Sequence, residues 1–294
     1  MAATSGIDFR AVTFAAHVDW LVVGALSMVA MKTKSALSWF GSDSEVAADL
    51  ALMLNHCSHV TIPFVGGAAI LPHLKARAIL ANDLHEDAIN FYRVASGLYG
   101  EEEKAALALQ CDRTLSHPAE LVSAKAIREA SIKPYGVGAW AFWAQCWIGR
   151  KGKGGTTSPG GMPSVRRTAS GGTNASRITA AASDLAEWAQ HFKRCEWLCE
   201  DFRKVLEKAT DHEGGGIYCD PPWVGAGDGY LHAFTEQDHC DLALYLQRFH
   251  KTTVVVRYGD SPLVRDLYEG WTIIEAASRD QCNAVKGEIW ITNR

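Results

Sequence analysis

The sequence predicts an α/β protein, a doubly wound Rossmann-like sheet assembled from both ends of the chain around a mainly helical insertion. Three observations carry this. A short apolar run over residues 59–64 hands over to the turn Gly66-Gly67, a second run over 78–81 ends at Asn82-Asp83, and after a long interruption helix and strand patterns alternate again from residue 183 onward. Such alternation belongs to open, largely parallel sheets. With 294 residues, 48% of them hydrophobic and 21% charged, the chain has apolar material for one sizeable core and a smaller inserted or appended domain.

The elements follow in order. Residues 12–31 are apolar but include His17 and Asp19, with no basic run before them and no small-residue cleavage site after them. Residues 1–34 therefore read as an N-terminal extension rather than a signal peptide or membrane anchor, and Met31 is expected to be the native start. Val46, Ala47, Leu50 and Leu54 recur at helical spacing and predict a helix over 44–56, capped by Ser44. A strand over 59–64, a helix over 68–76, a strand over 78–81 and a helix over 88–98 come next. Residues 99–194 change character: helices over 102–109, 118–130 and 137–147 lead into a Gly/Ser/Thr-rich stretch, 149–177, which carries Arg150, Lys151, Lys153, Arg166, Arg167 and Arg177 and no acidic residue. That stretch reads as a basic, mobile loop, either a solvated insertion or an element contacting phosphates. Helices over 183–194 and 202–208, a strand over 217–219, a helix over 236–249, a strand over 252–256, a helix over 261–269 and strands near 271–275 and 288–292 complete the pattern. The domain organisation expected is thus 1–34 extension, 35–98 with 195–294 as the sheet domain, and 99–194 inserted.

Composition narrows the function classes. A net charge of −4 argues against a nucleic-acid binder working by bulk positive charge, though not against a local basic surface. The eight cysteines form no CxxC pair, and the close pair Cys195 and Cys199 falls in a segment that reads as helical. A reduced, cytoplasmic chain without a structural metal site fits best.

Two motifs carry chemistry. Pro63-Phe64-Val65-Gly66-Gly67 stands where a strand gives way to a predicted helix, so backbone and a helix N-terminus can approach a ligand. Asp83, sixteen residues past Gly67 at the end of the next strand, can accept hydrogen bonds from ribose hydroxyls. No Gly-Lys-Ser/Thr phosphate cradle is present, so the pair points to an adenosyl cofactor without a triphosphate. The second motif is Asp220-Pro221-Pro222-Trp223, which follows a short apolar strand and so projects at the carboxyl edge of the sheet. A carboxylate beside a stiff, outward proline carbonyl can hold the two hydrogens of an amino group whose lone pair is delocalised into an aromatic ring, and Trp223 can stack on that ring. Taken alone, the tetrapeptide is also consistent with a rigid turn.

Those residues resemble the D12 class of N6-adenine DNA methyltransferases, the Dam-like enzymes, many of them encoded by bacteria and phages. The family's cofactor turn resembles Pro63 to Ala69, its ribose aspartate falls on Asp83 and its catalytic motif on Asp220 to Trp223. Softer matches are the N-terminal cofactor segment Leu37-Ser38-Trp39-Phe40-Gly41-Ser42 and the pair Asp201-Phe202, whose ring packs on the cofactor adenine in this family. The resemblance covers roughly residues 36–98 and 195–294 and matches the middle only by position, as a target-recognition region. It implies an S-adenosylmethionine-dependent methyltransferase sheet, double-stranded DNA as partner and transfer to a flipped-out adenine. Trp39, Phe40, Gly41, Pro63, Phe64, Gly66, Gly67, Asp83, Asp201 and Phe202 would be cofactor-binding, and Asp220, Pro221, Pro222 and Trp223 catalytic. Arg150, Lys151, Lys153, Arg166, Arg167 and Arg177 would contact DNA, with Tyr230 and Phe234 as closing groups over the base or as core residues. A partner restriction nuclease, the recognition sequence and the oligomeric state stay open.

Motif order, cofactor turn first and tetrapeptide last, separates the chain from RNA adenine methyltransferases of the MT-A70 type. Cytosine N4, adenine in RNA or a protein glutamine remain alternative amino acceptors, and a catalytically silent DNA-binding protein of the same fold a third reading. Two departures stand out. Trp223 replaces the family's usual tyrosine, and Asp43 stands where a lysine is usual, which argues against Asp43 as a ligand.

Overall fold

The computed structural model describes residues 31–130, 135–149, 156, 172–225, 230–279 and 285–294, with backbone only at 277–279 and 285–286. By its contacts the chain divides into Met1–Met31 and Lys32–Arg294, and everything below concerns the second unit.

The sheet is built from β1 (His59–Ile62), β2 (Ala78–Asn82), β3 (Cys195–Leu198), β4 (Gly215–Cys219), β5 (Thr253–Gly259), β6 (Thr272–Arg279) and β7 (Val285–Thr292). Their order is β3-β2-β1-β4-β5-β7-β6. The first five run parallel, and β7 inserts antiparallel between β5 and β6. This is a Rossmann-like α/β sheet. Its strands step outward from β1 to β3 on one side and from β4 to β5 on the other, so the topological switch point lies between β1 and β4, where open α/β sheets bind ligands outside the strand carboxyl ends. The Pro63–Gly67 turn follows β1 and the tetrapeptide follows β4, so both motifs flank that point.

Local sequence explains the strands. Central parallel strands are covered on both faces and read as continuous apolar runs; β4 is buried at every position, and β5, Thr-Val-Val-Val-Arg-Tyr-Gly, from Thr253 to Tyr258. The one charge in that run, Arg257, is 6% exposed.

Between β2 and β3 the chain is helical: α2 (Glu86–Ser96), α3 (Glu101–Arg113), α4 (Pro118–Glu129), α5 (Tyr135–Ile148), α6 (Asn174–Ser183) and α7 (Leu185–Phe192). The α5 segment is apolar all round and buried from Gly138 to Ile148, which makes it the core of this helical layer, packed by α2, α3, α4 and α6. It is joined to the N-terminal segment by Trp147, whose indole N–H donates to the Ala36 carbonyl at 3.2 Å. The remaining helices, α1 (Ala47–Leu52), α8 (Phe202–Lys208), α9 (Glu236–Leu246) and α10 (Pro262–Leu267), belong to the sheet half of the unit.

Four expectations need correction. The helix over 68–76 is only a 3₁₀ turn, Leu71–His73, because Ala68 adopts φ +61° and Pro72 lacks an N–H. The helix over 44–56 shrinks to α1, beyond which the chain tightens into i→i−3 turns through Leu54 and Cys57. Cys195 is not helical but opens β3, a strand missed because four residues show no clear period. The end of the stretch 149–177 is not loop, since Thr173 and Ser176 form a capping box that starts α6.

Among the described residues no helix is long and apolar enough to cross a membrane, and no group of three or more His, Cys, Asp or Glu is placed to hold a metal ion.

Candidate active site at the switch point

A cavity of about 610 Å³ opens at the carboxyl ends of β1, β2 and β4. All four residues of the tetrapeptide border it, as do all ten expected cofactor residues. Its size is ordinary for a small-molecule site.

At the β2 end, Asp83 is held by two backbone N–H groups: Gly66 N donates to Oδ2 and His85 N to Oδ1, both at 2.9 Å. Each oxygen keeps a lone pair for a further donor, as a ribose diol requires. Burial raises the Asp83 pKa, and these backbone bonds oppose that rise. The glycine turn serves packing as well as access. Gly66 has φ +49°, and a Cβ there would come within 3.0 Å of the Trp39 indole nitrogen; at Gly67 it would come within 3.0 Å of the Leu37 carbonyl. Leu37 and Trp39 therefore lie against the turn. The helix N-terminus expected beyond it is absent, so the turn offers backbone and no helix dipole.

The neighbouring wall is aromatic. Phe202, at the start of α8, packs against Phe64 and Phe234 with ring centres 5.5 and 5.7 Å away. Asp201 caps α8 by accepting from Arg203 N at 2.9 Å and pairs with the Arg203 guanidinium at 3.1 Å. Phe234 thus stands in this wall. Tyr230 instead meets the N-terminal segment, edge-on to Phe40 at 5.4 Å, with its hydroxyl donating to the Phe40 carbonyl at 3.3 Å. Thr156 forms an isolated antiparallel bridge with Tyr230, so the middle segment reaches the site.

At the β4 end, Arg257 Nη1 donates to Asp220 Oδ2 at 3.0 Å, and the Asp220 side chain is 14% exposed. Burial, opposed by Arg257 and reinforced by the carboxyl of Asp43, lifts the Asp220 pKa to about 7. Trp223 lies with its six-membered ring against Gly259, where a Cβ would approach within 2.6 Å, and the Arg257 guanidinium sits over the indole at 5.0 Å. The absence of a Cβ at Gly259 makes room for the indole.

Sequence reasoning missed several residues here. Asp43 was set aside, yet it is buried on the cavity wall and accepts a hydrogen bond from the Tyr218 hydroxyl at 2.8 Å; burial raises its pKa. His85, buried against Phe142 at 4.8 Å, is lowered by burial to about 4 and is neutral at pH 7. Arg257 had one legible signal, a charge within a strand without another; Glu288, with Lys286 in the same strand, had none. Of the expected DNA contacts, Arg150, Lys151, Lys153, Arg166 and Arg167 lie outside the described residues. Arg177 sits over the Trp147 ring at 5.6 Å and donates to Ser38 Oγ at 3.3 Å, tying α6 to the N-terminal segment.

Fold and cavity define a Rossmann-like α/β protein with its ligand site at the switch point. Residues 151–281, which include the tetrapeptide, match the model of the D12 class N6 adenine-specific DNA methyltransferase family. The retron Ec67 DNA adenine methylase of Escherichia coli is 33% identical over 92 residues, which is 30% of this chain and 32% of that protein. The match thus spans about a third of the length of that curated relative. A solved O-methyltransferase from Bacillus cereus in complex with SAH gives a TM-score of 0.38 at 9% identity, over 86% of this chain and 82% of that one.

Proposed function

We propose that the chain transfers a methyl group from S-adenosylmethionine to the N6 amino group of adenine in double-stranded DNA. The observation that carries this is the meeting of Asp83, the Phe64 and Phe202 wall and the Asp220 tetrapeptide on one cavity. The donors fit such a cofactor: a carboxylate with lone pairs left for a diol, an aromatic wall for an adenine, and no phosphate cradle.

S-adenosylmethionine, when bound, supplies an electrophilic methyl on a sulfonium. Asp83 would hold the ribose and Phe202 the adenine ring of that cofactor. The Asp220 carboxylate and the Pro221 carbonyl would accept the two hydrogens of the substrate amino group, so that its nitrogen becomes pyramidal and its developing positive charge is stabilised. Trp223 would stack on the flipped base, since the target amino group is paired inside a duplex. Only ionised Asp220 accepts in this way. With its pKa raised to about 7, transfer should rise with pH through that value and level off above it.

In this reading the basic stretch holds phosphates and 99–194 supplies base recognition. The D12-class match favours adenine over cytosine N4 or a protein glutamine as acceptor. The test is incubation with labelled S-adenosylmethionine and duplex DNA, RNA or protein, followed by mass spectrometry of the product. N6-methyladenine in DNA is the expected product; label only in RNA or protein, or none anywhere, overturns the proposal.

A further inference from the structure

Arg257 is a costly residue for its place. It lies on a central strand, its side chain is 7% exposed, and a buried charge is retained at the expense of desolvation that an apolar residue would avoid. Four of its N–H donors are used, and they run in two directions. Nε and Nη2 form a fork on Glu288, both at 2.9 Å. Nη1 donates to Asp220 Oδ2 and to the Gly41 carbonyl, both at 3.0 Å. Glu288, on the neighbouring strand β7, is fixed in turn by the Trp290 indole N–H at 2.8 Å. The flat face of the guanidinium lies over Trp223. One side chain thus touches the first and last residues of the tetrapeptide and the backbone of the N-terminal cofactor segment.

We propose that Arg257, braced by Glu288, is the positioning residue of this site: it orients Asp220 Oδ2, leaves Oδ1 for the substrate amino group, and fixes the Trp223 platform. The inference rests on the methyl-transfer reading above. A plain structural ion pair between β5 and β7 would need Glu288 alone. The contacts to Asp220, Gly41 and Trp223 go beyond that need and all lie on the cavity.

The charges facing Asp220 are Arg257, Asp43 and Glu288, with the Tyr218, Tyr230 and Tyr258 hydroxyls and the Cys219 thiol neutral around them. Arg257 lowers the Asp220 pKa and Glu288 raises it. Two substitutions should therefore move the titration in opposite directions. Arg257→Gln should raise it by about one pH unit or more, as loss of an adjacent opposite charge does. Glu288→Gln should lower it. Arg257→Lys keeps the charge and loses the fork, and should cut kcat by about 10²-fold with cofactor affinity little changed.

The experiment follows the Asp220 carboxyl by ¹³C NMR titration in the full chain and in the Arg257→Gln and Glu288→Gln variants, alongside kcat for Arg257→Lys. Melting curves normalise each to its folded fraction. Opposite displacements in the two titrations, with a kcat loss per folded molecule, support the proposal. Unchanged or parallel displacements overturn it, as does an Arg257→Lys variant with undiminished kcat. If Arg257→Gln does not fold, Glu288→Gln and Arg257→Lys decide alone. The titration needs no methyl transfer, so a wild-type chain that labels no acceptor overturns the function without touching the assignment of Arg257 as the group that holds Asp220.

Discussion

Of the aspartates that border the cavity, two stand at strand ends, Asp83 after β2 and Asp220 after β4, and burial raises the pKa of both. They differ in what holds them. Asp83 is clasped by uncharged backbone N–H groups, which leave lone pairs aimed outward and add no mobile charge. Asp220 is held by a guanidinium that is itself shared with Glu288 and crowded by Asp43. A backbone clasp suits a fixed acceptor for neutral hydroxyls. A charge network suits a group whose ionisation must be set near neutrality and whose partner develops positive charge. In the proposed reading, cofactor affinity falls to Asp83 and the transfer step to Asp220.

The sharpest way to break that division is Asp220→Ala, which should lower transfer about 10³-fold while leaving cofactor affinity within about threefold. Radiolabel transfer and calorimetric titration with S-adenosylhomocysteine measure the two quantities, and a matching loss of affinity would erase the distinction. Next in size, Asp83→Ala should weaken cofactor binding about 10²-fold, since it removes two hydrogen bonds to a charged acceptor, with kcat at saturating cofactor within about threefold. An equal fall in kcat would mean that the two carboxylates act together.

The smallest effect concerns stability. An acid whose pKa is raised in the native state binds its proton more tightly there than in the unfolded chain, so its contribution to stability falls as pH rises from about 4 to about 7. His85, a base lowered to about 4, acts in the opposite sense over an overlapping range, so the wild-type melting curve alone is ambiguous. Asp220→Asn isolates the carboxyl. The Tm of the variant relative to wild type should rise between pH 4 and pH 7, by about 2–4 °C for each kcal/mol of the carboxyl's contribution that is lost, read by circular dichroism. A constant difference would show that Asp220 titrates normally.

Much of this arrangement is legible in the residues alone. The tetrapeptide, the glycine turn and Asp83 are short motifs whose residue types state their chemistry, and the strands β1, β2, β4 and β5 announce themselves through apolar runs. Short elements were not legible. The four residues of β3 carry no period, and the 3₁₀ turn at Leu71–His73 reads as helix until the positive φ of Ala68 is known. The place of Asp43 was not legible either: its charge argues against a ligand role, and its burial beside the Tyr218 hydroxyl comes from the fold. Arg257 lay in plain view as a charge in a β-branched strand, but its partners stand at positions 41, 220, 223 and 288, and no local rule joins them.

By itself the sequence determined that this is an α/β sheet protein with a glycine turn, an aspartate and a stiff Asp-Pro-Pro-Trp tetrapeptide at the ends of its strands, because periodicity, glycine and proline act over a few residues. Only the tertiary structure decided how that tetrapeptide is tuned. The switch point brings β1 and β4 together, β7 delivers Glu288 beside β5, and Gly259 admits the indole of Trp223. The charge on Asp220 depends on desolvation and on opposite charges a few ångströms away, and those distances exist only once the chain has folded.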